Sequence, residues 1–284
     1  MHDSTITSAR KDAVAGAALP ASGGFLLAAA TLWEREMVRF LRQPSRIVGL
    51  VAAPLLFWFL LGSGLGDSFR PADPAAGGSL QYLFPGTVVM IVLFASVFSN
   101  MSTIEDRREG YLLSVLVAPI SRAGLVVGKI LGGTTQAMIP GLLFLLLAPL
   151  AGFSLGVSQA LLAMLALFLI SLSLTSLGFA IAWRMDSAQG FHAVLNLVLM
   201  PAWVLSGALF PLSGASRWMR GIMRANPLTY EVEALRGALL GNDAQILANA
   251  LGSNRPLQLT ALFALATMLV ALIWSGRPSV HSTK

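Results

Sequence analysis

The feature that most constrains this chain is where its charges are missing. Stretches without Asp, Glu, Lys or Arg run over 13–33, 47–66, 74–104, 130–183, 187–216 and 256–276. A charge at the centre of a bilayer costs about 2.5–3.5 kcal/mol on insertion scales, and a spanning helix needs about 20 mostly apolar residues. Charge-free runs of that length, repeated through 284 residues, describe a multi-pass membrane protein with no room for a large soluble domain. The first run is interrupted by Gly16, Pro20, Ser22, Gly23 and Gly24 and makes a poor spanning helix. The run 130–183 is too long for one helix and breaks at Pro149, Gly152 and Gly156, so it holds two.

The expected fold class is therefore an all-α integral membrane protein with six transmembrane helices, at 47–66, 84–103, 125–148, 159–183, 191–210 and 257–274. Residues 1–24 mix charges with Ala, Ser and Gly; they lack the apolar core of a cleavable signal and are expected to be a disordered lead-in to a single domain, 25–284. From Phe25 to Gln43, apolar Leu26, Ala30, Trp33, Met37 and Phe40 or Leu41 recur at helical spacing opposite Glu34, Arg35, Arg39 and Arg42, as in an amphipathic helix lying in the membrane interface. Arg10, Lys11, Arg35, Arg39, Arg42 and Arg46 precede the first span, and an even span number then puts both termini in the cytoplasm.

The same charges exclude other functions. The surplus of 19 Lys and Arg over 13 Asp and Glu sits at the ends of apolar segments, where it orients the chain, so no nucleic-acid partner is expected. The chain has no Cys, and only His2, His192 and His281 could supply imidazole, so neither a metal site nor a catalytic thiol is expected. GLVVGKI at 124–130 fails the phosphate-loop pattern: its glycines are four apart and Ile130, not Ser or Thr, follows Lys129. No enzymatic activity and no bound cofactor are expected here. Gly128 with Gly132, and Gly62 with Gly66, instead have the spacing that lets helices approach closely. A gradient-driven carrier places ionisable groups near the midplane, whereas Lys129 and His192 lie near helix ends. Energy from another subunit is the better reading, with an ion-gradient-driven secondary transporter as the alternative.

Two connections stand out. Residues 104–122, IEDRREGYLLSVLVAPISR, form either a solvated loop with orienting arginines or a short surface helix that docks a partner. The connection 211–255 carries Arg217, Arg220, Arg224, Arg236 and Arg255, although alternation places it outside. Pro211, Gly214 and Pro227 divide it into pieces too short to span, which fits either a re-entrant hairpin or a solvated outer loop.

Together these segments resemble the permease subunits of type 2 ATP-binding-cassette exporters. The resemblance is carried by Phe84-Pro85-Gly86, Glu105, Arg107, Arg108, Glu109, Gly110, Leu113, Leu116, Pro119, Ser121, Arg122 and Lys129, then by Ser206-Gly207, Phe210-Pro211, Asn226-Pro227-Leu228-Thr229-Tyr230, Glu233, Ala234, Arg236 and Gly241. It implies that two permease copies pair, as a homodimer or a heterodimer, in a bacterial inner membrane, and that separate cytoplasmic ATPase subunits bind ATP-Mg. It also implies a coupling helix at 104–122, with Glu105, Arg107, Arg108, Glu109, Gly110, Tyr111, Leu112, Leu116, Pro119 and Arg122 contacting the ATPase. An outward hairpin at 211–243 would then use Pro211, Asn226, Pro227, Tyr230 and Arg236. The expected activity is outward movement of an amphipathic drug, lipid or glycan-type substrate, with Phe57, Asn100, His192 and Asn196 as candidate path residues at the seam of the first, second and fifth spans.

Overall fold

A computed structural model describes residues 21–65, 78–111, 121–241 and 256–276, and everything regular within them is helical. In chain order the helices are α1 (Ala21–Leu41), α2 (Pro44–Leu65), α3 (Ser79–Arg108), α4 (Arg122–Leu145), α5 (Val157–Ala182), α6 (Ala188–Trp203), α7 (Arg217–Ala225), α8 (Pro227–Leu240) and α9 (Pro256–Gly276). Short 3-10 turns follow α4 at Ala148–Ala151 and precede α7 at Leu212–Gly214. Five helices are long and apolar enough to cross a membrane: α2, α3, α5, α6 with its extension, and α9. At about 1.5 Å per residue, the 24 residues of α4 have the length. Arg122, Lys129, Gln136 and five glycines dilute its apolar character.

The centre of the bundle is α3. Within its most apolar window 89% of residues are enclosed, against 22% for α2 and for α9, so α3 is the post around which α2, α4 and α5 pack. Near its start Phe84 stacks on Phe144 at 5.0 Å, with Trp58 and Phe153 each 5.6 Å from the same ring. Such ring pairs add about 0.5–1.5 kcal/mol each beyond their buried area. Pro85, Pro140 and Pro201 sit inside helices, which membrane helices tolerate because neighbouring groups satisfy the freed carbonyls. Beyond Pro201, α6 runs into a π-helical turn, Val204–Ala208, that contains Gly207 at φ 81°. Only a residue without Cβ takes that conformation cheaply.

Three expectations need correction. Residues 21–24, expected to be disordered, form the first turn of α1. Tertiary contact overrides the weak propensity of Gly23-Gly24, because α1 lies along α4. α1 itself does more than float in an interface. It turns Ala28, Ala29, Leu32, Glu36 and Phe40 inward and leaves Leu26, Leu27, Trp33, Val38 and Leu41 exposed. Finally, residues 104–108, expected to belong to the coupling helix, are the last turns of α3. Their charges extend the helix because α1 and the start of α6 supply partners, and Gly110 at φ 76° ends it.

The glycine stripe of α4 receives α1. A Cβ on Gly124 would lie 3.0 Å from the Phe25 carbonyl oxygen, one on Gly128 would lie 2.7 Å from that of Ala29, and one on Gly132 would lie 2.9 Å from Glu36 Cβ. Gly128→Ala is expected to push α1 off this groove at a cost of about 1–3 kcal/mol. The check is the melting temperature of the detergent-solubilised protein, and an unchanged value would show that the groove does not hold α1. Gly62 makes a similar close contact with Leu80, and Gly66 lies outside the described residues.

Candidate functional site

Two buried polar clusters stand at opposite ends of α3. The first joins α1, α3 and α4. Lys129 is 5% exposed, Glu36 2% and Asp106 0%, and the Lys129 ammonium donates to both carboxylates, 2.7 Å from Glu36 Oε1. Arg35 grips Asp106 bidentately at 2.7 and 2.9 Å, and Arg39 pairs with Glu105. Gln136 Nε2 donates to the Glu36 carbonyl at 3.1 Å. The hydrogen bond to Asp106 raises the Arg35 pKa against the opposing effect of burial. Three cations thus meet three carboxylates, the arrangement buried charges require.

Sequence reasoning missed two members of this cluster. Glu36 sits on the stripe of Ala29, Leu32 and Phe40, and Asp106 follows Ser99 and Ser102 at spacings of three and four. A carboxylate in phase with a buried stripe was the available signal. Searching for charge-free runs discards it.

The coupling residues divide around this cluster. Glu105 pairs with Arg39. Arg107 donates to the carbonyls of Trp183 and Met185 and faces Asp186, while Arg108 Nε donates to the Asp186 carbonyl at 3.0 Å. These two arginines therefore brace the α5–α6 connection, Arg107 half-buried and Arg108 exposed. Glu109 and Gly110 make the turn, and the Arg35 guanidinium lies 3.9 Å from the Tyr111 ring centroid. Arg122 is exposed at the start of α4, where Ser121 caps the Gly124 N–H at 3.0 Å. Leu112, Leu116 and Pro119 lie outside the described residues.

The second cluster is built on the α7–α8 hairpin. The Asn226 side chain accepts from the Leu228 N–H at 3.1 Å and donates to the Ala202 carbonyl at 2.5 Å, so one residue caps α8 and ties it to α6. Pro227 takes the first helical position, where its missing N–H costs nothing. Tyr230 OH closes the hairpin onto the Arg224 carbonyl at 2.8 Å. Pro211, partly buried, leads into the turn before α7. Arg236 differs from the other described arginines of this connection. Arg217 and Arg224 are exposed, but Arg236 is buried, paired with Glu233 and donating to the Gly207 carbonyl at 3.1 Å. Tyr82 OH reaches the same oxygen at 2.9 Å, and the Tyr82 ring lies 4.4 Å from the guanidinium. The π turn frees that carbonyl, and two donors from α3 and α8 capture it.

Beside this latch, buried Glu231 accepts from the Ser173 hydroxyl of α5, and its Oε2 has no partner. Burial pushes its carboxyl up to about 8, the Ser173 hydrogen bond opposing. A raised carboxyl favours folding below its ordinary value near 4.5, and that advantage is lost as pH rises through about 8. Glu231→Gln is therefore expected to flatten a pH dependence that reaches roughly 3–5 kcal/mol in the native chain. Melting curves across that window check it, and parallel curves for the two proteins would refute it.

Each described candidate path residue has its own surroundings. Asn100 is buried and donates to the Ser96 and Thr175 carbonyls, fastening α3 to α5. His192 packs edge-on against Phe98 at 5.0 Å, Phe57 lies 6.1 Å from Trp203, and Asn196 is exposed on α6. Among the described residues no group of three or more His, Cys, Asp or Glu side chains is placed to hold a metal.

Both clusters lie inside the segment that compares most informatively with known proteins. Residues 28–240, from the second turn of α1 to the end of α8, match the family described as "ABC-2 type transporter". The chain belongs to this family. Similar proteins include nodulation protein J of Rhizobium meliloti, 27% identical over 80% of this chain and 85% of its own length. The putative transport permease ycf38 of Cyanophora paradoxa is 26% identical over 72% and 71%, and the inner membrane transport permease YadH of Escherichia coli is 23% identical over 78% and 87%. As an ABC-2 permease subunit this chain is a multi-pass transport protein whose family implies ATP-binding partner subunits.

Proposed function

We propose that this chain is the membrane half of an ATP-driven exporter that moves an amphipathic drug, lipid or glycan-type substrate outward. Two permease copies pair, and ATPase subunits that bind ATP-Mg dock beneath them. α4 joins the five apolar helices as a sixth span, both termini lie on the cytoplasmic side of a bacterial inner membrane, and α7–α8 form a re-entrant hairpin at the outer end. The chain itself carries out no hydrolysis.

The observation that carries this reading is the cluster of Glu36, Asp106 and Lys129. It binds α1, α3 and α4 into one unit at the end of α3 that leads into the docking segment. A push on residues 104–122 would thus move the central helix and its neighbours together, because a packed polar network transmits displacement instead of absorbing it. Export then follows from partner closure that favours one of two permease states.

Vesicles holding this chain and its ATPase are expected to transport a hydrophobic compound only with ATP. Undiminished transport without the ATPase, or its loss on collapse of the proton gradient at constant ATP, would favour a gradient-driven carrier. Glu109→Arg, at an exposed turn, is expected to weaken co-purification of the ATPase while leaving the melting temperature unchanged; full retention of the ATPase would refute the docking assignment.

A further inference from the structure

The Lys129 cluster pairs each of its charges, whereas the cavity beside it holds a cation with no ion-pair partner among the described residues. At the elbow where α1 passes into α2, a cavity of about 260 Å3 opens between Arg39, Gln43 and Arg46 on one side and Phe98, Glu105 and Gln136 on the other. Its carboxylates already have cations: Lys129 lies 2.7 Å from Glu36, and Arg39 pairs with Glu105. Arg46 differs. Among the described residues no carboxylate lies within ion-pair distance of it. One terminal nitrogen donates to Gln43 Oε1 at 3.4 Å, the guanidinium lies 5.4 Å from the Phe98 ring centroid, and its buried Nε has no acceptor. A buried donor left unmade costs about 1–3 kcal/mol, so this group suits an acceptor that arrives from outside.

We propose that the cavity binds the phosphodiester headgroup of an anionic membrane phospholipid. Small-molecule sites usually measure about 300–1,000 Å3, so this one takes a headgroup and leaves the acyl chains outside. Leu41 and Val48, 62% and 65% exposed, flank Gln43 and Arg46 in sequence on the same elbow and offer those chains an apolar surface. With Glu36 held by Lys129 and Glu105 by Arg39, Arg46 is the cation left to pair with one net negative charge, which selects phosphatidylglycerol over zwitterionic phosphatidylcholine. The guanidinium donates in a plane that phosphate oxygens accept. Basic pockets between helices near a membrane surface hold lipid headgroups by this chemistry.

The test is native mass spectrometry of the full chain released from nanodiscs of phosphatidylcholine with or without phosphatidylglycerol. One phosphatidylglycerol per chain is expected to be retained, with a preference of roughly fivefold that follows from one cation near the surface. Arg46→Gln abolishes the preference and Arg46→Lys keeps most of it, while Arg42→Gln, exposed on the same elbow, leaves it intact. Equal retention of the two lipids by the native chain would overturn the proposal without recourse to any variant. Preference unchanged in Arg46→Gln would overturn it as well. Displacement of the lipid by millimolar inorganic phosphate would show a free-anion site and refute the lipid as its occupant.

Discussion

Lys129→Met is expected to lower stability by about 3–5 kcal/mol, the cost of leaving a buried charge without its partner. The side chain fits the same space, so the loss is electrostatic and not a cavity. Lys129 serves two carboxylates, and they are not equally dependent on it. Asp106 keeps the bidentate grip of Arg35 and the nearby guanidinium of Arg39 at 3.6 Å. Glu36 keeps only Arg35 at 3.4 Å and Gln136 at 3.5 Å. The orphan is therefore Glu36. Lys129→Met with Glu36→Gln should recover about 1–3 kcal/mol relative to Lys129→Met alone, a non-additivity expected of residues in one network. Against a total of about 5–15 kcal/mol, the single change should visibly deplete folded protein. Melting temperature and yield in detergent measure both effects. A native melting temperature in Lys129→Met, or strict additivity in the pair, would show that the cluster does not hold α1 to the bundle.

Arg236→Met should be nearly as costly, by about 3–5 kcal/mol, because Glu233 loses its cation inside the hairpin. Its local consequence is more informative than its size. The Gly207 carbonyl would keep only Tyr82 OH. Hydrogen exchange is expected to accelerate across 204–210 and in α8, while the Lys129 end stays protected. Tyr82→Phe removes the other donor and leaves no charge unpaired, so it should cost only about 0.5–1.5 kcal/mol. Exchange rates unchanged in both variants would mean that the π turn holds itself and the latch adds nothing.

The relation between sequence and structure is uneven in an instructive way. Helix positions were legible: the expected spans 47–66, 159–183 and 257–274 lie close to α2, α5 and α9, because apolar length is a local property that can be summed along the chain. The glycine spacing of α4 was legible as a packing surface, although not which helix it receives. The ends of α1 and α3 were misjudged where propensity and charge argued for stopping but a neighbouring element supplied contacts. Asn100 shows the same limit. A polar residue in a span reads equally well as path or as fastener, and its donation to the Thr175 carbonyl at 3.1 Å is visible only in the fold.

By itself, then, the sequence determined that this chain crosses a membrane several times and that it carries two unusual connections. Those conclusions depend on sums of transfer free energies, which need only composition and order. Only the tertiary structure decided which charges are working parts. Glu36, Asp106, Lys129, Glu233 and Arg236 are tolerable inside an apolar bundle solely as pairs, and their partners stand 93, 23 and 3 positions apart along the chain. Electrostatic pairing in a low-dielectric interior depends on distance in space. Helical spacing supplies it for Glu233 and Arg236, but no pattern along the chain supplies it for the pairs 93 and 23 positions apart.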